Sequence, residues 1–156
     1  METANAPRRL WQLPSWLVSQ VARQGDRLVS DRLAAAGLRK YHFTVLVALE
    51  EHGPTSQAAL GRRLSIDRSD MVAVINDLER DGLVARGRDE EDRRRNLVAL
   101  TPAGADARAR LDARVEEAQD ALLAPLSSAE RRQLRELLTR VVEHHREGIS
   151  PARPTA

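Results

Sequence analysis

Residues 57–76, QAALGRRLSIDRSDMVAVIN, decide the fold. Two short helices locked at a steep angle dictate residue types at set positions. Leu60 and Leu64 lie four apart on the first helix and face inward. Gly61 is small where the helices cross closely. Ile66 plugs the turn, and Met71, Val74 and Ile75 face back from the second helix. Ser65 takes the turn place where glycine is commonest. The outward face of the second helix then holds Arg68, Ser69, Val72, Ala73 and Asn76. Arginine pairs with guanine O6 and N7, asparagine with adenine, and apolar side chains meet the thymine methyl. Asp67 and Asp70 stand near the start of that helix, where capping is their expected role. The free N–H groups of the same end suit a phosphate.

That window alone also fits an ordinary helical hairpin, and the next stretch changes the balance. Residues 82–104 read GLVARGRDEEDRRRNLVALTPAG. Two short apolar stretches, Leu83–Ala85 and Leu97–Leu100, flank a charged tip, which predicts a β-hairpin with a solvated end. Arg86, Arg88, Arg93, Arg94 and Arg95 are interleaved there with Asp89, Glu90, Glu91 and Asp92. A self-paired solvated loop is the plain alternative. Five arginines in ten residues beside a helix-turn-helix favour phosphate contacts or insertion into a minor groove. Asp92 is expected to hold Arg94 in one rotamer by a paired hydrogen bond.

Outward from this centre the pattern is helical. Pro14 and Ser15 open a helix to about Ala36, closed by Gly37. A second runs over about Arg39–His52 and stops at Gly53-Pro54. Thr55 or Ser56 caps Gln57–Leu64, and Asp67 caps Arg68–Asp81, which Gly82 terminates. After the hairpin, Thr101 and Pro102 start a helix with the stripe Ala107, Leu111, Val115, Ala118 and Leu122, broken by Pro125. Ser127 with Glu130 makes a capping box for the last helix. The predicted order is α-α-α-α-β-β-α-α, a mainly α fold with a small β-hairpin wing. Residues 1–9 and 148–156 read as loose tails.

The run over residues 82–104 closely resembles the wing and following helix start of MarR-family regulators. Asp92 and Arg94 match the family's Asp-x-Arg pair, and Leu100, Thr101 and Gly104 its Leu-Thr-x-x-Gly closure. The upstream run LSIDRSDMVAVINDLERDGLV resembles that family's recognition helix. The resemblance covers about residues 15–147. It implies a single MarR-type domain with a winged helix-turn-helix over about 55–104. It implies dimerisation through about 10–36 and 102–147, and a repressor released by a small ligand. Asp70, Val72 and Ala73 depart from the family's common Thr, Ser and Arg on the exposed face, so base readout is expected to lean on Arg68, Ser69 and Asn76.

The first and last helices, left alone, would expose too much apolar surface. Leu10, Trp11, Leu13, Leu122, Leu126, Leu134, Leu138 and Val141 are the expected dimer contacts, since a large exposed patch marks an interface. A twofold dimer sets two recognition helices roughly 34 Å apart, which predicts a pseudo-palindromic double-stranded DNA site. Family resemblance also implies an effector cleft between the dimer helices and the winged part. Trp16, Tyr41, His42 and Phe43 are its candidates, with a phenolic compound or organic acid as the ligand class and a core or interface role as the alternative for each.

Composition bounds the remaining classes. The pI of about 9.9 comes from 24 arginines and one lysine, yet the formal net charge is only +2. Residues 55–104 hold nine arginines against nine acids, so positive charge is local. That near-neutral balance also suits a protein-interaction module, the second reading. The chain has no cysteine, which removes disulfides, thiolate metal sites and thiol redox sensing. His42, His52, His144 and His145 lack metal-ligand spacing. No nucleophile elbow, phosphate loop or His-Glu-x-x-His appears. No cofactor and no catalysis are expected. No apolar run reaches the roughly 20 residues that span a bilayer, and no signal pattern opens the chain, so a cytoplasmic location is expected.

Overall fold

Ser56 starts the central motif by accepting a hydrogen bond from the Ala59 N–H at 3.3 Å in a computed structural model of the protein. The structure describes residues 6–88 and 96–147. Helix α3 (Gln57–Leu64) ends at Ser65, whose φ of +53° lies in the left-handed region. This is the position where the sequence lacks the expected glycine; serine accepts the strain, and the Ile66 N–H reaches Gly61 O at 3.0 Å. A Cβ on Gly61 would stand 3.1 Å from Ile66 O, so the small residue is what the turn requires.

Helix α4 (Arg68–Arg80) follows. Its inner face, Met71, Val74, Ile75 and Leu78, is buried with Leu60 and Ile66. The expected cap by Asp67 is not formed: its side chain accepts no bond from the first turn. The first-turn amides therefore keep no side-chain acceptor from that residue, and Asp67 and Asp70 act on the helix end through charge alone.

Helices α1 (Pro14–Ala34) and α2 (Lys40–His52) complete this core with Leu33, Val45, Leu46 and Leu49. Helix α1 stops two residues before the expected Ala36. Gly37 takes φ +72°, and the Leu38 N–H bonds Leu33 O at 3.1 Å. Before α1, a single 3-10 turn over Leu10–Gln12 sets Trp11 against Trp16, with ring centroids 5.2 Å apart.

Strands β1 (Val84–Arg88) and β2 (Asn96–Leu100) pair antiparallel, with Val84 opposite Leu100 and Arg88 opposite Asn96. The expected first strand began at Leu83 and ended at Ala85. Ladder pairing instead continues through Arg86 and Arg88, because the backbone bonds need no apolar side chains once Val84 and Val98 anchor the sheet in the core. Thr55 adds a third rung, exchanging two backbone bonds with Val98 at 2.9 and 3.0 Å.

Helix α5 (Pro102–Leu122) is locked to this stem by one residue. Thr101 donates its N–H to Leu83 O at 3.1 Å and its hydroxyl to Gly82 O at 2.7 Å. The same hydroxyl accepts from the Gly104 N–H at 3.0 Å, which caps α5 as expected. A Cβ at Gly104 would sit 2.0 Å from Leu83 O and 2.8 Å from Leu100 Cδ1. The Leu-Thr-x-x-Gly pattern is thus a steric and hydrogen-bonding lock. Further along α5, Ala107, Leu111 and Ala118 are buried and Val115 packs beside them.

The chain divides into two compact units, Met1–Leu122 and Leu123–Ala156. In the second, α6 (Ser128–Glu147) starts with the expected capping box: the Ser127 N–H donates to Glu130 at 2.8 Å and the Glu130 N–H to Ser127 Oγ at 3.4 Å. The Ser127 hydroxyl, donating to the same carboxylate at 2.7 Å, and then the Ser127 N–H hold Glu130 below its ordinary pKa.

Gly104→Ala forces backbone apart at the lock and should cost about 1–3 kcal/mol by overpacking. Gly87→Ala, where an added Cβ meets nothing within 4 Å, is the control. Thermal unfolding should place the first variant roughly 3–10 °C below wild type and the second close to it; equal melting temperatures would remove the lock.

Candidate nucleic-acid interface

Burial of one side of α4 leaves the other side free. Arg68, Ser69, Val72, Ala73 and Asn76 are all exposed, along a helix about 20 Å long. Val72 keeps 39% of its surface accessible, although it lies between the buried Met71 and Val74. These five expected contact residues share one face. Among the described residues the buried core uses none of them, and Asn76 alone is bonded to the wing.

The wing residues divide. Arg86 and Arg88 lie on the paired stem, in β1, not at the tip. Arg88 is exposed. Arg86 turns back toward α4. Its backbone N–H donates to Glu79 Oε1 at 3.2 Å, its guanidinium pairs with Glu79 Oε2, and its Nη2 donates to Asn76 Oδ1 at 2.7 Å. Arg86 is thus held within the protein by Glu79 and Asn76, on the stem and not at the charged tip. The physical cause is the Gly82 turn, which runs β1 back past the last two turns of α4. Asp92, Arg93, Arg94 and Arg95 lie outside the described residues.

A second tie holds α4 from the side of α2. The Arg39 N–H donates to His42 Nδ1 at 3.1 Å, so the ring carries its proton on Nε2 and donates it to Asp77 Oδ2 at 3.3 Å. Arg39 also reaches Asp77 Oδ2, and Arg80 Nη1 lies 3.1 Å from Oδ1. Burial, with the neighbouring Arg39 charge, lowers the His42 pKa against the opposing pull of Asp77 and Asp81. Burial alone would raise Asp77, but Arg80, Arg39 and His42 together bring it below its ordinary value.

Sequence reasoning missed Arg39, Asp77 and Glu79. Glu79 and Arg86 are seven residues apart across a glycine turn, a spacing that carries a usable signal. Arg39 and Asp77 are 38 apart with no periodicity to join them.

The four effector candidates take different surroundings. His42 is buried at 4% exposure and faces Asp77. Phe43 is half-buried against the core, Trp16 is half-buried beside Trp11, and Tyr41 is exposed. Tyr41 lines a cleft of about 480 Å³ between α1 and the start of α2, with Asp26, Ser30 and Lys40. A larger cleft of about 750 Å³ is bordered by Leu38, Leu83, Leu111, Arg110 and Arg114. Among the described residues no cluster of His, Cys, Asp or Glu has metal-holding geometry. No described helix is long and apolar enough to cross a membrane.

A helix-turn-helix with one free face, flanked by an arginine-bearing antiparallel wing, defines a winged-helix DNA-binding transcriptional regulator. The family model described as "MarR family" matches residues 36–95. A probable transcriptional regulator from Pseudomonas aeruginosa, known from its crystal structure, is 35% identical; the match covers 85% of this chain and 98% of that one, with a TM-score of 0.73. The chain belongs to the MarR family. A putative regulatory protein for the hcr operon of Thauera aromatica is 37% identical over 99 residues, 64% of this chain; the chain spans 60% of that relative's length. The structure of BpsR from Bordetella bronchiseptica, described for regulation of its DNA binding by 6-hydroxynicotinic acid, is 25% identical with a TM-score of 0.76, covering 88% of this chain and 98% of that one.

A buried histidine with a lowered pKa has a signed consequence. The unfolded chain takes up its proton near pH 6.5, where the folded one resists it. Stability is therefore full above that value and falls as pH drops through it. The melting temperature should decline between pH 7.5 and 5.5, before most carboxylates protonate. His42→Gln, which keeps an acceptor for Arg39 and a donor for Asp77, should flatten that part of the curve; an identical pH profile in the variant would count against the buried neutral ring.

Proposed function

We propose that the protein is a homodimeric repressor that binds a pseudo-palindromic operator and leaves it when a small organic acid or phenolic effector binds. The observation that carries this is the exposed face from Arg68 to Asn76, with Asn76 bonded to Arg86 on the stem of an arginine-rich wing. Base edges are read by Arg68, Ser69 and Asn76, with Val72 and Ala73 against thymine methyls. Arg88, Arg93, Arg94 and Arg95 supply backbone contacts, with Asp92 orienting Arg94.

The dimer is supported by side chains left uncovered within each unit. Leu138 is 41% exposed, Val141 56%, Leu137 48% and Val142 54% along α6, and Trp11 is 50% exposed near the start of the chain. Leu10, Leu13 and Leu122 in the first unit and Leu126 and Leu134 in the second are partly covered and are further dimer contacts in this reading. A C2 dimer uses the same patch twice and doubles the recognition helix, one turn of DNA apart.

Effector response is supported by the family's BpsR, whose DNA binding 6-hydroxynicotinic acid regulates. The cleft beside Tyr41 holds the Ser30 hydroxyl and Lys40, whose ammonium pairs with Asp26 and would exchange that partner for an effector carboxylate. His42, one residue on, ties directly to Asp77 on α4. Ligand pressure on the start of α2 thereby reaches the recognition helix in one contact, and Trp16 and Phe43 complete the candidate set.

Selection of bound sequences from random duplex DNA should return an inverted repeat. Affinity for it should fall by orders of magnitude between about 50 and 200 mM salt. Arg94→Ala should lower the salt slope by about one unit for each phosphate that the arginine neutralises, equally on all sequences. Arg68→Ala should cost roughly 1–3 kcal/mol per site and relax specificity at one base pair. Salt-independent association with duplex would argue instead for a protein-binding role. For the interface, Leu138→Glu should convert the dimer to monomer on sizing; a dimer that survives moves the contact elsewhere.

A further inference from the structure

Asn76 is the last outward residue of α4, and its carboxamide is not free to turn. Arg86 Nη2 donates to its oxygen at 2.7 Å. A guanidinium carries five N–H donors and no acceptor, so it can face the amide only through Oδ1, never through Nδ2. Arg86 is itself pinned: Glu79 accepts from its backbone N–H and pairs with its guanidinium. Glu79 lies one turn beyond Asn76 on the same helix, so helix and strand fix each other's side chains.

The geometry points to Arg86 as a positioning residue that sets the base specificity of Asn76. With Oδ1 committed to Arg86, the group turned outward is the NH2 of Asn76. An unrestrained asparagine reads adenine with both ends, accepting from N6 and donating to N7. Here the free end of the amide offers the base donors only, from Asn76 Nδ2. The N6 amino group of adenine would face another donor. Guanine presents O6 and N7, two acceptors side by side, and satisfies both. The base opposite Asn76 is therefore guanine, and adenine is rejected. This reverses the adenine pairing that the residue type alone suggests. It rests on the reading of α4 as the helix that enters the major groove.

The test is selection from random duplex DNA with the full chain and three variants. Asn76→Ala identifies the base pair read by residue 76 as the one that becomes indifferent. In the wild type that pair should favour guanine over adenine by about tenfold, within the range of one good base contact. The double variant Glu79→Gln/Arg86→Met removes the clamp without leaving a lone carboxylate near the phosphates. It should shift the guanine-to-adenine ratio at that pair by about fivefold or more toward adenine, with the other positions unchanged. Arg86→Lys keeps a donor on Oδ1 and should retain guanine. Melting curves confirm that each variant is folded; if the double variant is not, Glu79→Gln alone, which weakens the anchor of Arg86, should shift the ratio in the same direction. Adenine preferred by the wild type, no pair made indifferent by Asn76→Ala, or a ratio unmoved when the clamp is removed would overturn the assignment alone. A wild type that enriches no duplex would overturn the groove reading of α4 and the assignment with it.

Discussion

The inner face of α4 governs everything else in this molecule. Met71, Val74, Ile75 and Leu78 are buried against Leu33, Leu46, Leu49 and Leu60. At roughly 25 cal/mol per Å² of apolar surface, each such side chain contributes about 1.5–3 kcal/mol when removed from water. No surface interaction on this helix competes with that sum. The burial selects the rotation of α4 about its axis, and the rotation decides which residues remain outside. Arg68, Ser69, Val72, Ala73 and Asn76 are outside because the opposite stripe is inside.

Rotation alone leaves side-chain direction open, and polar ties close it. Asp77 is gripped from α2 by Arg39 and His42, and by Arg80 on its own helix. Glu79 is gripped from β1 by Arg86. Exposed ion pairs of this kind add little to stability, typically about 0–1 kcal/mol. Their effect is positional: they restrict side chains that carry around 2 kcal/mol of rotamer entropy when free. A helix that must place donors against base edges loses affinity for every bond it has to order on binding. In the proposed reading, the bond from Arg86 to Asn76 meets that cost for one such side chain during folding instead.

Much of this was legible in the sequence, for identifiable reasons. Helix-turn-helix packing leaves so little space that Leu60, Gly61, Ile66 and Met71 are nearly dictated, and all four take the expected places. Thr101 and Gly104 were legible as a pattern, though only the structure shows that Gly104 stands where a Cβ would overlap Leu83 O. The hairpin was legible from its two apolar ends, but its length was not. Ladder hydrogen bonds continue past Ala85 into charged residues that no hydrophobic pattern marks. Asp67 was misleading: it occupies a capping position with an extended backbone yet makes no cap bond. The Arg39–His42–Asp77 tie was invisible, since it joins residues from two helices whose crossing is set by apolar side chains elsewhere. Arg86 and Arg88 lie in the stem and not at the tip, a placement the sequence hides because charge, unlike apolar spacing, does not reveal strand register.

The charge balance now has a structural reading. Nine arginines and nine acids over residues 55–104 give no strongly basic surface. Among the described residues of that stretch, three acids hold arginines in place: Asp77 and Asp81 against Arg80, Glu79 against Arg86. Paired arginines add little to the long-range field that draws a protein to any duplex. They retain unused N–H groups aimed in fixed directions, because a guanidinium has more donors than one carboxylate can occupy. Sequence-independent affinity is lowered while directional contacts are kept, which widens the ratio between a matching site and the bulk of DNA. Binding built on few oriented contacts is also the kind that a shift of one helix undoes.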